Sequence, residues 1–385
     1  RTATGDHSVK RITTYIYEGG VGALAASEQG LALRQQNTYK GATRTNPYIR
    51  QINYFYGSEG EEKVRYSESF NSKGLGNNNI TRTTVYHYRS SSGELYQQNT
   101  YKGYAITGIN TATGDLTARI DVIPDSLIRS VTYFRGDEGE ERTDFTQTYG
   151  LNGYTGDVKK TTIYWYQSPS GTGLVRAASA DADSALREDK VYRGGNKDSS
   201  SIDNLATTDV LDDEFKLISR SFYTGEASEE KVDRTFNYGS NGNIRSTVIF
   251  HYDPADGRLI ETLTFRKEVQ YGLGPADTRN PEAPGTTLMS RTVYFGPEGE
   301  EIANYTLNYK KDGQTVKSAT VNFYGDAKQR ANDADSYNDA LSVQVNYKGM
   351  GLTEALIAPV TQIDRDLTAS VTIDGVSVTK HLRQS

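Results

Sequence analysis

Acidic side chains gather at a glycine-rich stretch that occurs four times in the chain. In its first copy, 54-YFYGSEGEEK-63, three aromatic residues and a glycine precede the carboxylates. Carboxylates on a tight loop are ligands that Ca²⁺ prefers, so Glu59, Glu61, Glu138 and Glu140 are candidate calcium ligands. Adjacent side chains of a strand point to opposite faces, however, and no DxDxDG-like spacing is present. The structural alternative is a charged hairpin turn whose acids pair with the basic residue that follows.

The histidines occur in a pattern that indicates packing rather than catalysis. His87 and His251 occupy a column that also contains Ile16, Trp165 and Phe323, so the position requires a bulky or flat group. The sequence has no G-x-S-x-G, P-loop, dinucleotide-binding or H-E-x-x-H motif, and no unique pair of acids for glycoside hydrolysis. We therefore predict that the protein is not an enzyme and that it has no cofactor other than calcium.

The acidic stretch belongs to a longer repeat of about 80 residues. Its copies read 51-QINYFYGSEGEEKVRYSESF-70, 130-SVTYFRGDEGEERTDFTQTY-149, 219-SRSFYTGEASEEKVDRTFNY-238 and 290-SRTVYFGPEGEEIANYTLNY-309. A second Thr/Val/Tyr-rich block follows each copy, and this arrangement is typical of tandem-repeat proteins. We predict a truncated first repeat at 1–47, repeats at 48–126, 127–216, 217–287 and 288–358, and a partial C-terminal repeat at 359–385.

Each repeat reads as four strands joined by tight turns, because β-branched and aromatic residues dominate the runs between glycines. The turn positions that require glycine are Gly57, Gly60, Gly136, Gly139, Gly225, Gly296 and Gly299. Two aromatic columns are predicted to bind neighbouring strands or units together, Tyr54, Tyr133, Phe222 and Tyr294 in one and Phe70, Tyr149, Tyr238 and Tyr309 in the other. The Ala/Asp/Ser-rich stretches 178–204 and 325–342 are predicted to be inserted loops.

These elements predict an all-β fold with mainly antiparallel strands and hairpins in an elongated solenoid-like or multi-sheet array. Separate small sandwiches and a ring like a propeller are alternatives that the sequence leaves open. Hydrophobic residues make up only 35% of the chain, and tyrosine, with 28 residues, supplies much of that share. Such a composition fits thin sheets with one wet face better than a thick globular core.

Composition also excludes several classes of partner. A net charge of −6 argues against a nucleic-acid-binding surface, and no run of 18 apolar residues is present that would span a membrane. The chain contains no cysteine, so disulfides and thiolate chemistry are absent. It starts at Arg1 without a methionine or signal peptide, and we expect it to be a mature product or a fragment.

One hairpin resembles a known family. The segment 252-YDPADGRL-259 is similar to the YD repeat of Rhs-type and teneurin-like surface proteins, with Tyr-Asp, a short turn, Gly-Arg and an aliphatic residue. Looser versions begin at Tyr88, Tyr238 and Tyr309, whereas the period of about 80 residues is far longer than one YD unit. The resemblance implies a large extracellular or secreted structure built from strand–turn–strand units.

The sequence therefore predicts a structural repeat segment of an extracellular surface, sheath or fibre-forming protein. Repeats that cannot bury their own sheet faces gain stability by docking on neighbours, and free edge strands favour self-association into filaments. The alternative is an adhesin or polysaccharide-binding array that uses rows of tyrosines, since tyrosine rings also stack on sugars.

Overall fold

The computed structural model confirms an all-β protein with antiparallel strands. It describes residues 9, 11–23, 26–27, 30–41, 43–46, 48–71, 73–103, 123–196, 215–269, 287–336, 339–349, 351–360, 368–373, 376–381 and 383–384. The chain divides into two compact units, one of residues 1–217 and 225–230 and the other of residues 218–224 and 231–385. The six predicted repeat segments differ from this division and stay a prediction. The part of the chain that is described contains no helix long and apolar enough to cross a membrane.

The first unit is a meander of antiparallel strands. These are β1 (Arg11–Tyr17), β2 (Leu33–Lys40), β3 (Ile49–Tyr56), β4 (Lys63–Phe70), β5 (Ile80–Tyr88), β6 (Leu95–Lys102), β7 (Ile128–Arg135), β8 (Arg142–Tyr149), β9 (Val158–Gln167), β10 (Leu174–Val175) and β11 (Leu186–Arg193). Each of β1 to β8 pairs with the strand that follows it, and β9 pairs with both β10 and β11. Short 3-10 helices lie at Glu18–Gly20, Asn77–Asn79, Asp125–Leu127, Gly153–Thr155 and Ala177–Ser179.

The second unit follows the same plan. Its strands are β12 (Lys216–Thr224), which begins in the first unit, β13 (Lys231–Tyr238), β14 (Ile244–Tyr252), β15 (Leu259–Arg266), β16 (Thr287–Phe295), β17 (Ile302–Tyr309), β18 (Val316–Tyr324), β19 (Leu341–Lys348), β20 (Thr368–Ile373), β21 (Val376–His381) and β22 (Arg383–Gln384). Consecutive strands from β12 to β19 pair antiparallel, β22 pairs with β19, and β20 pairs with β21. One short helix, α1 (Glu354–Ile357), precedes β20.

The hairpins that carry the acidic turns share one irregularity, a β-bulge on the second strand. In the first of them Tyr54 lies opposite Tyr66 and Phe55 opposite Val64, so Arg65 is the extra residue. The same register shift makes Asp144, Asp233 and Asn304 the extra residues of the other three hairpins. A bulge bends its strand and redirects side chains, so these four positions lie in equivalent surroundings.

The core is built from alternate strand residues, as expected for sheets with one covered face. In the first unit its largest cluster centres on Tyr66, Phe145 and Ile163, all fully buried. The largest cluster of the second unit includes Leu307 and Phe323 from the strands. Helix α1 and its flanks add three buried side chains to that second cluster, those of Leu352, Ile357 and Val360.

The structure corrects the reading of the two inserted stretches. The stretch 178–204 contains strand β11, which pairs with β9 over Leu186 to Arg193, so it is not a loop throughout. Residues 325–336 consist of turns and an isolated bridge at Gln329, and β19 begins at Leu341. The alternation in Leu-Arg-Glu-Asp-Lys-Val-Tyr-Arg was overlooked because four charged residues interrupt its apolar positions, and the pairing with a long neighbour strand overrides that local composition.

Candidate functional site

The acidic turns adopt one backbone conformation that depends on glycine. Gly57, Gly136, Gly225 and Gly296 have φ values of 113°, 119°, 111° and 129°. A Cβ atom at Gly57 would lie 2.7 Å from the carbonyl oxygen of Glu61, and the other three positions meet an equivalent oxygen at 2.6–2.8 Å. Glycine is therefore required twice, by its φ angle and by this close approach.

The later turn position tolerates another residue. Gly60, Gly139 and Gly299 have φ values of 80°, 84° and 78°, and a Cβ atom there would meet nothing within 4 Å. Ser228 occupies the equivalent position in the third hairpin with a φ of 72°. The first glycine of the turn is thus the sterically constrained one, while the second needs only a left-handed backbone.

The second glutamate of each Glu-Glu pair binds backbone N–H groups. Leu33 N donates to Glu62 Oε1 at 2.8 Å, and Leu95 N donates to Glu141 Oε1 at 2.7 Å. The remaining copies repeat the contact, from Leu186 to Glu230 at 2.8 Å and from Leu259 to Glu301 at 2.7 Å. Each of these leucines lies at the start of the strand that precedes the acidic hairpin, so the carboxylate fastens its own turn to the preceding strand.

The other carboxylate oxygen holds the turn itself. Gly60 N donates to Glu62 Oε2 at 2.9 Å, and Gly139 N donates to Glu141 Oε2 at 3.0 Å. Hydrogen bonds to an ionised acceptor are roughly twice as strong as neutral ones. Sequence reasoning selected Glu61 and Glu140 instead, and both of these side chains are exposed. The sequence does not distinguish the two positions, because glutamate occupies both of them in all four copies.

A basic residue after the Glu-Glu pair connects one hairpin to the next, in an arrangement that we call a clasp. In the first clasp Lys63 Nζ donates to the carbonyl of Gly93 at 2.6 Å and forms an ion pair with Glu138. The ammonium also lies over the ring of Tyr88, 5.3 Å from its centroid. One side chain therefore joins an aromatic ring, a loop carbonyl and the next acidic turn.

The third clasp repeats this geometry in the second unit. Lys231 Nζ donates to the carbonyl of Gly257 at 2.7 Å, lies 2.5 Å from Glu298 Oε1 and sits 5.5 Å from the Tyr252 ring centroid. The Glu298 side chain is 54% exposed, as is that of Glu138, so neither pair is buried.

The second clasp uses an arginine, for which the described residues provide no acidic partner. Arg142 lies over the Tyr166 ring at 5.3 Å and donates to the carbonyls of Asp181 (2.6 Å) and Ala182. Where the other copies carry a glutamate, the next turn carries Ala227. The loss of the acid coincides with a longer loop, whose carbonyl groups take its place.

The tyrosines of the second and third clasps also hold the acidic hairpins through their hydroxyl groups. Tyr166 donates to the carbonyl of Thr143 at 2.7 Å, and Tyr252 donates to that of Val232 at 3.0 Å. Tyr324 makes the equivalent bond to Ala303 at 2.6 Å, although Ile302 replaces the basic residue there. Burial raises the pKa of the Tyr166 hydroxyl well above its usual range, while the nearby Arg142 opposes that change.

The first aromatic column contacts the neighbouring strand of the same hairpin. Tyr54 stacks on Tyr66 with ring centroids 4.2 Å apart, and Tyr133 stacks on Phe145 at 4.4 Å. Burial raises the pKa of Tyr54 and of Tyr66. These rings stabilise the hairpin to which they belong.

The third and fourth hairpins depart from this stacking. Phe222 lies against Phe236 at 5.3 Å, with the guanidinium groups of Arg220 and Arg234 each 4.5 Å from its centroid. In the fourth hairpin the residue opposite Tyr305 is Val293, not the predicted Tyr294, which lies opposite Ala303. The alignment was one residue out because Val293 and Tyr294 are both strand-forming residues.

The second column lies at the ends of the second strands, each residue just beyond a register shift. Phe70, Tyr149, Tyr238 and Tyr309 lie opposite Ile80, Val158, Ile244 and Val316. Phe70 and Tyr149 are buried, and the Tyr149 ring is 5.3 Å from that of Tyr154. All four predicted members thus occupy one structural position.

The predicted calcium ligands do not converge. Glu138 is paired with Lys63, and Glu59 Oε2 would lie 3.0 Å from a Cβ atom at Gly30. Among the residues that the structure describes, no three acidic or histidine side chains form a group that could hold a metal ion. Calcium binding stays a prediction.

A cleft of about 1020 Å³ lies beside the first clasp. Tyr56, Arg65 and Arg89 line it together with the clasp residues Lys63 and Tyr88. The ring faces are already occupied, since Arg65 lies 5.4 Å from the Tyr56 centroid and Lys63 covers Tyr88. The cleft thus combines charged groups with rings whose faces are partly used.

A second polar network, which sequence reasoning missed, lies in the second unit. His251 Nδ1 and Glu261 Oε1 are 2.7 Å apart, and Arg291 joins Glu261 (2.5 Å) to Glu354 (2.6 Å). The Tyr305 hydroxyl donates to Glu354 at 2.5 Å. Hydrogen bonding from His251 and from Arg291 lowers the pKa of Glu261 below its usual range. The network fastens helix α1 to the sheet through Glu354. His251 takes part in it through its contact with Glu261.

Comparisons with known proteins give the following results. No protein-family model matches the chain, and neither does any curated protein. Among solved structures, a crystal structure of TcdB2-TccC3-TEV is similar over 88% of this chain at 13% identity, with a TM-score of 0.27. The Photorhabdus luminescens Tc holotoxin pore with mutant TccC3 is similar over 88% at 14% identity, with a TM-score of 0.29. The chain spans 13% of the length of each of these two structures.

Proposed function

We propose that this chain is a structural, non-enzymatic β-repeat segment of an extracellular surface, sheath or fibre-forming protein. The observation that carries the proposal is that the repeated glutamates Glu62, Glu141, Glu230 and Glu301 all bind backbone N–H groups of the preceding strand. A site for chemistry is normally unique within a chain. Here the same contact occurs four times and serves to join strands.

The clasps extend this argument from strands to hairpins. Lys63 and Lys231 each connect an acidic hairpin to the following one, and each uses the same ring, carbonyl and acid. Repeats joined through nearest-neighbour contacts gain stability from each added copy. Stiffness that increases with length is the property that a sheath or fibre requires.

Self-assembly is the second part of the proposal. Among the described residues, the pairing of β1 is with β2 alone, so β1 is an edge strand of the described sheet. Exposed edges of this kind are templates for pairing with another chain. We propose that such pairing produces filaments or lattices.

Negative-stain microscopy and sedimentation velocity of the purified chain test the assembly. We expect concentration-dependent rods or fibres, and we expect a Thr13→Lys variant, which puts a charge on the edge strand, to assemble less. Compact monomers at every concentration would contradict self-assembly. Thr38→Lys, in the paired strand β2, is the control for a general effect of added charge.

A polysaccharide-binding array is the second candidate, and the cleft beside Tyr56 and Tyr88 is the observation that favours it. Sugar rings stack on aromatic faces, and cleft carboxylates such as Glu61 would accept hydroxyl hydrogen bonds. A glycan-array screen followed by titration of Tyr56→Ala decides between the two functions. Saturable binding that this change abolishes would establish the second candidate.

A further inference from the structure

The cleft beside the first clasp lies where strands β4 and β5 separate. Within the described part of the chain, their pairing reaches Tyr66, opposite Val85, and Arg65, the extra residue of the bulge, comes next. The Arg65 side chain lines the cleft. Because the four acidic hairpins share this bulge, each of them places one equivalent side chain at the point where its strand leaves the next one.

In the second and fourth hairpins, a loop covers this side chain. Arg176, in the loop before β11, donates from Nε to Asp144 Oδ1 at 2.8 Å. Arg330, in the turns before β19, donates from Nε to Asn304 Oδ1 at 2.7 Å. Asp144 and Asn304 are only 2% and 4% exposed. In both hairpins the extra residue is therefore an acceptor that holds an arginine from a covering loop.

The first hairpin reverses this arrangement. Its extra residue is a cation, and the loop between β5 and β6 comprises only residues 89–94. Apart from the Tyr56 ring, whose centroid lies 5.4 Å away, the described residues give the Arg65 side chain no hydrogen-bond or ion-pair partner. The third hairpin satisfies its extra residue within the strand, since Arg234 donates to Asp233 at 2.8 Å. A guanidinium carries only donors, so a ligand in the first cleft would supply the acceptor.

The other polar groups of the cleft indicate what else such a ligand carries. Of the four described glutamates that line it, three are engaged within the protein, namely Glu62, Glu138 and Glu141. Glu61 is exposed, and the described residues give its carboxylate no partner. Serine hydroxyls at 90–92 lie on the same surface. The cleft therefore offers a cation for an anionic group and a carboxylate for hydroxyl donors.

We propose that this cleft binds an acidic polysaccharide, with a uronate carboxylate on Arg65 and sugar hydroxyls on Glu61. A guanidinium binds a carboxylate through two parallel hydrogen bonds, which fixes the orientation of the sugar. Several linked sugar rings fit, because the volume of about 1020 Å³ lies at the top of the range of about 300–1,000 Å³ for small-molecule sites. The inference rests on the polysaccharide-binding candidate and names its ligand class.

An acidic peptide matches the cleft less well. Among the described residues that line it, Val64 is the one aliphatic side chain, so the cleft lacks the apolar pocket in which a peptide would anchor. A run of peptide carboxylates would also face Glu61 without offering hydroxyl donors. The peptide is therefore one of the ligands that the experiment compares.

Calorimetric titration of the full chain with a galacturonic acid trimer, and with the methyl ester of that trimer, tests the proposal. The ester has the same rings and hydroxyls but no negative charge. We expect saturable one-to-one binding of the acid and binding of the ester that is about ten-fold weaker. The chain's net charge of −6 disfavours a general attraction of polyanions, so a preference for the acid reports a local site.

Arg65→Asn is the decisive variant, because it introduces the residue that the fourth hairpin carries at this position and should keep the bulge. It is expected to weaken binding of the acid about ten-fold and to change binding of the ester less than about two-fold. Arg82→Asn is the matched control. It removes the same charge from an exposed position near the start of β5 and should leave both affinities unchanged. Circular dichroism of each variant verifies that the fold is intact.

Three results would overturn the proposal. These are the absence of saturable binding of the acid, equal losses of affinity in Arg65→Asn and Arg82→Asn, and equal affinities for the acid and the ester. Hexaglutamate is the third ligand, and an affinity equal to that of the galacturonic acid trimer would overturn the assignment to a sugar.

The same titrations separate this inference from the candidate function on which it rests. If acid and ester bind equally and Tyr56→Ala abolishes both, the inference fails and the polysaccharide-binding candidate stands. If neither the acid, the ester nor a neutral glycan binds, both fail and the structural role is unaffected.

Discussion

The first and second clasps both place a cation over a tyrosine ring, but the cation binds a different acceptor in each. Lys63 and Arg142 follow equivalent Glu-Glu pairs, and each lies 5.3 Å from the centroid of a tyrosine ring. Lys63 then pairs with Glu138, whereas Arg142 binds the carbonyls of Asp181 and Ala182. The cation on the ring is common to both, while its acceptor is not.

Lys63 and Arg142 thus place a positive charge at equivalent positions without sharing an acceptor, and the fourth hairpin carries Ile302 there. An arginine presents a rigid, planar fork of donors, and here Arg142 binds two carbonyls with it. The loop before β11 supplies those carbonyls and is fastened a second time, by Arg176 to Asp144 at 2.8 Å. The first hairpin carries Arg65 at the position of Asp144 and makes no such connection.

The largest loss of stability is expected from a substitution at Asp144, which holds the loop before β11. Asp144 is 2% exposed and faces the guanidinium groups of Arg176 and Arg135. Asp144→Ala removes a buried carboxylate from two charged groups, so we expect the free energy of unfolding to fall by about 3–5 kcal/mol. Denaturant unfolding measures the change.

Arg65→Ala is the matched control in the first hairpin. It removes a cation that lies 5.4 Å from the Tyr56 ring, and we expect a loss of about 1 kcal/mol or less. Equal losses for the two variants would show that the loop of the second clasp is not fastened through Asp144.

An intermediate loss of stability is expected from substitutions at Glu62 and Glu141, whose contacts are the same in the two hairpins. Glu62 and Glu141 each accept N–H hydrogen bonds through both carboxylate oxygens. Replacement by glutamine leaves one oxygen acceptor, so Glu62→Gln and Glu141→Gln should each lower the free energy of unfolding by about 1–3 kcal/mol. Chemical denaturation compares the two variants directly.

The adjacent glutamates provide the control for this pair. Glu61→Gln and Glu140→Gln alter exposed side chains, so each should change stability by about 0.5 kcal/mol at most. A loss as large as that of Glu62→Gln would indicate that net charge, rather than the N–H contacts, stabilises the turn.

The smallest loss of stability is expected from replacing Lys63 or Arg142, and its salt dependence distinguishes a carboxylate acceptor from carbonyl acceptors. Lys63→Met should destabilise by about 0.5–1 kcal/mol in low salt and by less in 1 M NaCl, because exposed ion pairs are screened. Arg142→Met removes hydrogen bonds to neutral carbonyls, so its effect should depend less on salt. Thermal unfolding at the two salt concentrations measures both, and equal salt dependence would contradict the assignment.

The sequence contains enough to predict the hairpins but not their connections. The spacing of Gly57 from Glu61 and Glu62 predicts a turn, because only glycine fits its φ of 113°. The role of Glu62 was missed because its partner, the N–H of Leu33, lies 29 residues away and every residue except proline carries such a group. The sequence therefore does not indicate which backbone N–H group a glutamate will bind.

The aromatic residues show the same limit. Phe70 and Tyr149, predicted to share one column, each end a strand before a turn. Tyr294 was placed one residue away from the ladder position, which Val293 occupies opposite Tyr305, because both residues suit a strand. Partners across hairpins, such as Tyr88 for Lys63, depend on tertiary packing that composition does not encode.

The central claim is that the acidic turns are joints between strands, and hydrogen exchange at four amides tests it most directly. The N–H groups of Leu33, Leu95, Leu186 and Leu259 should all be protected in the native chain, because each donates to a glutamate. In Glu141→Gln, protection should fall at Leu95 and stay unchanged at the other three. Rapid exchange of all four amides in the native chain, or unchanged protection of Leu95 in the variant, would contradict the account.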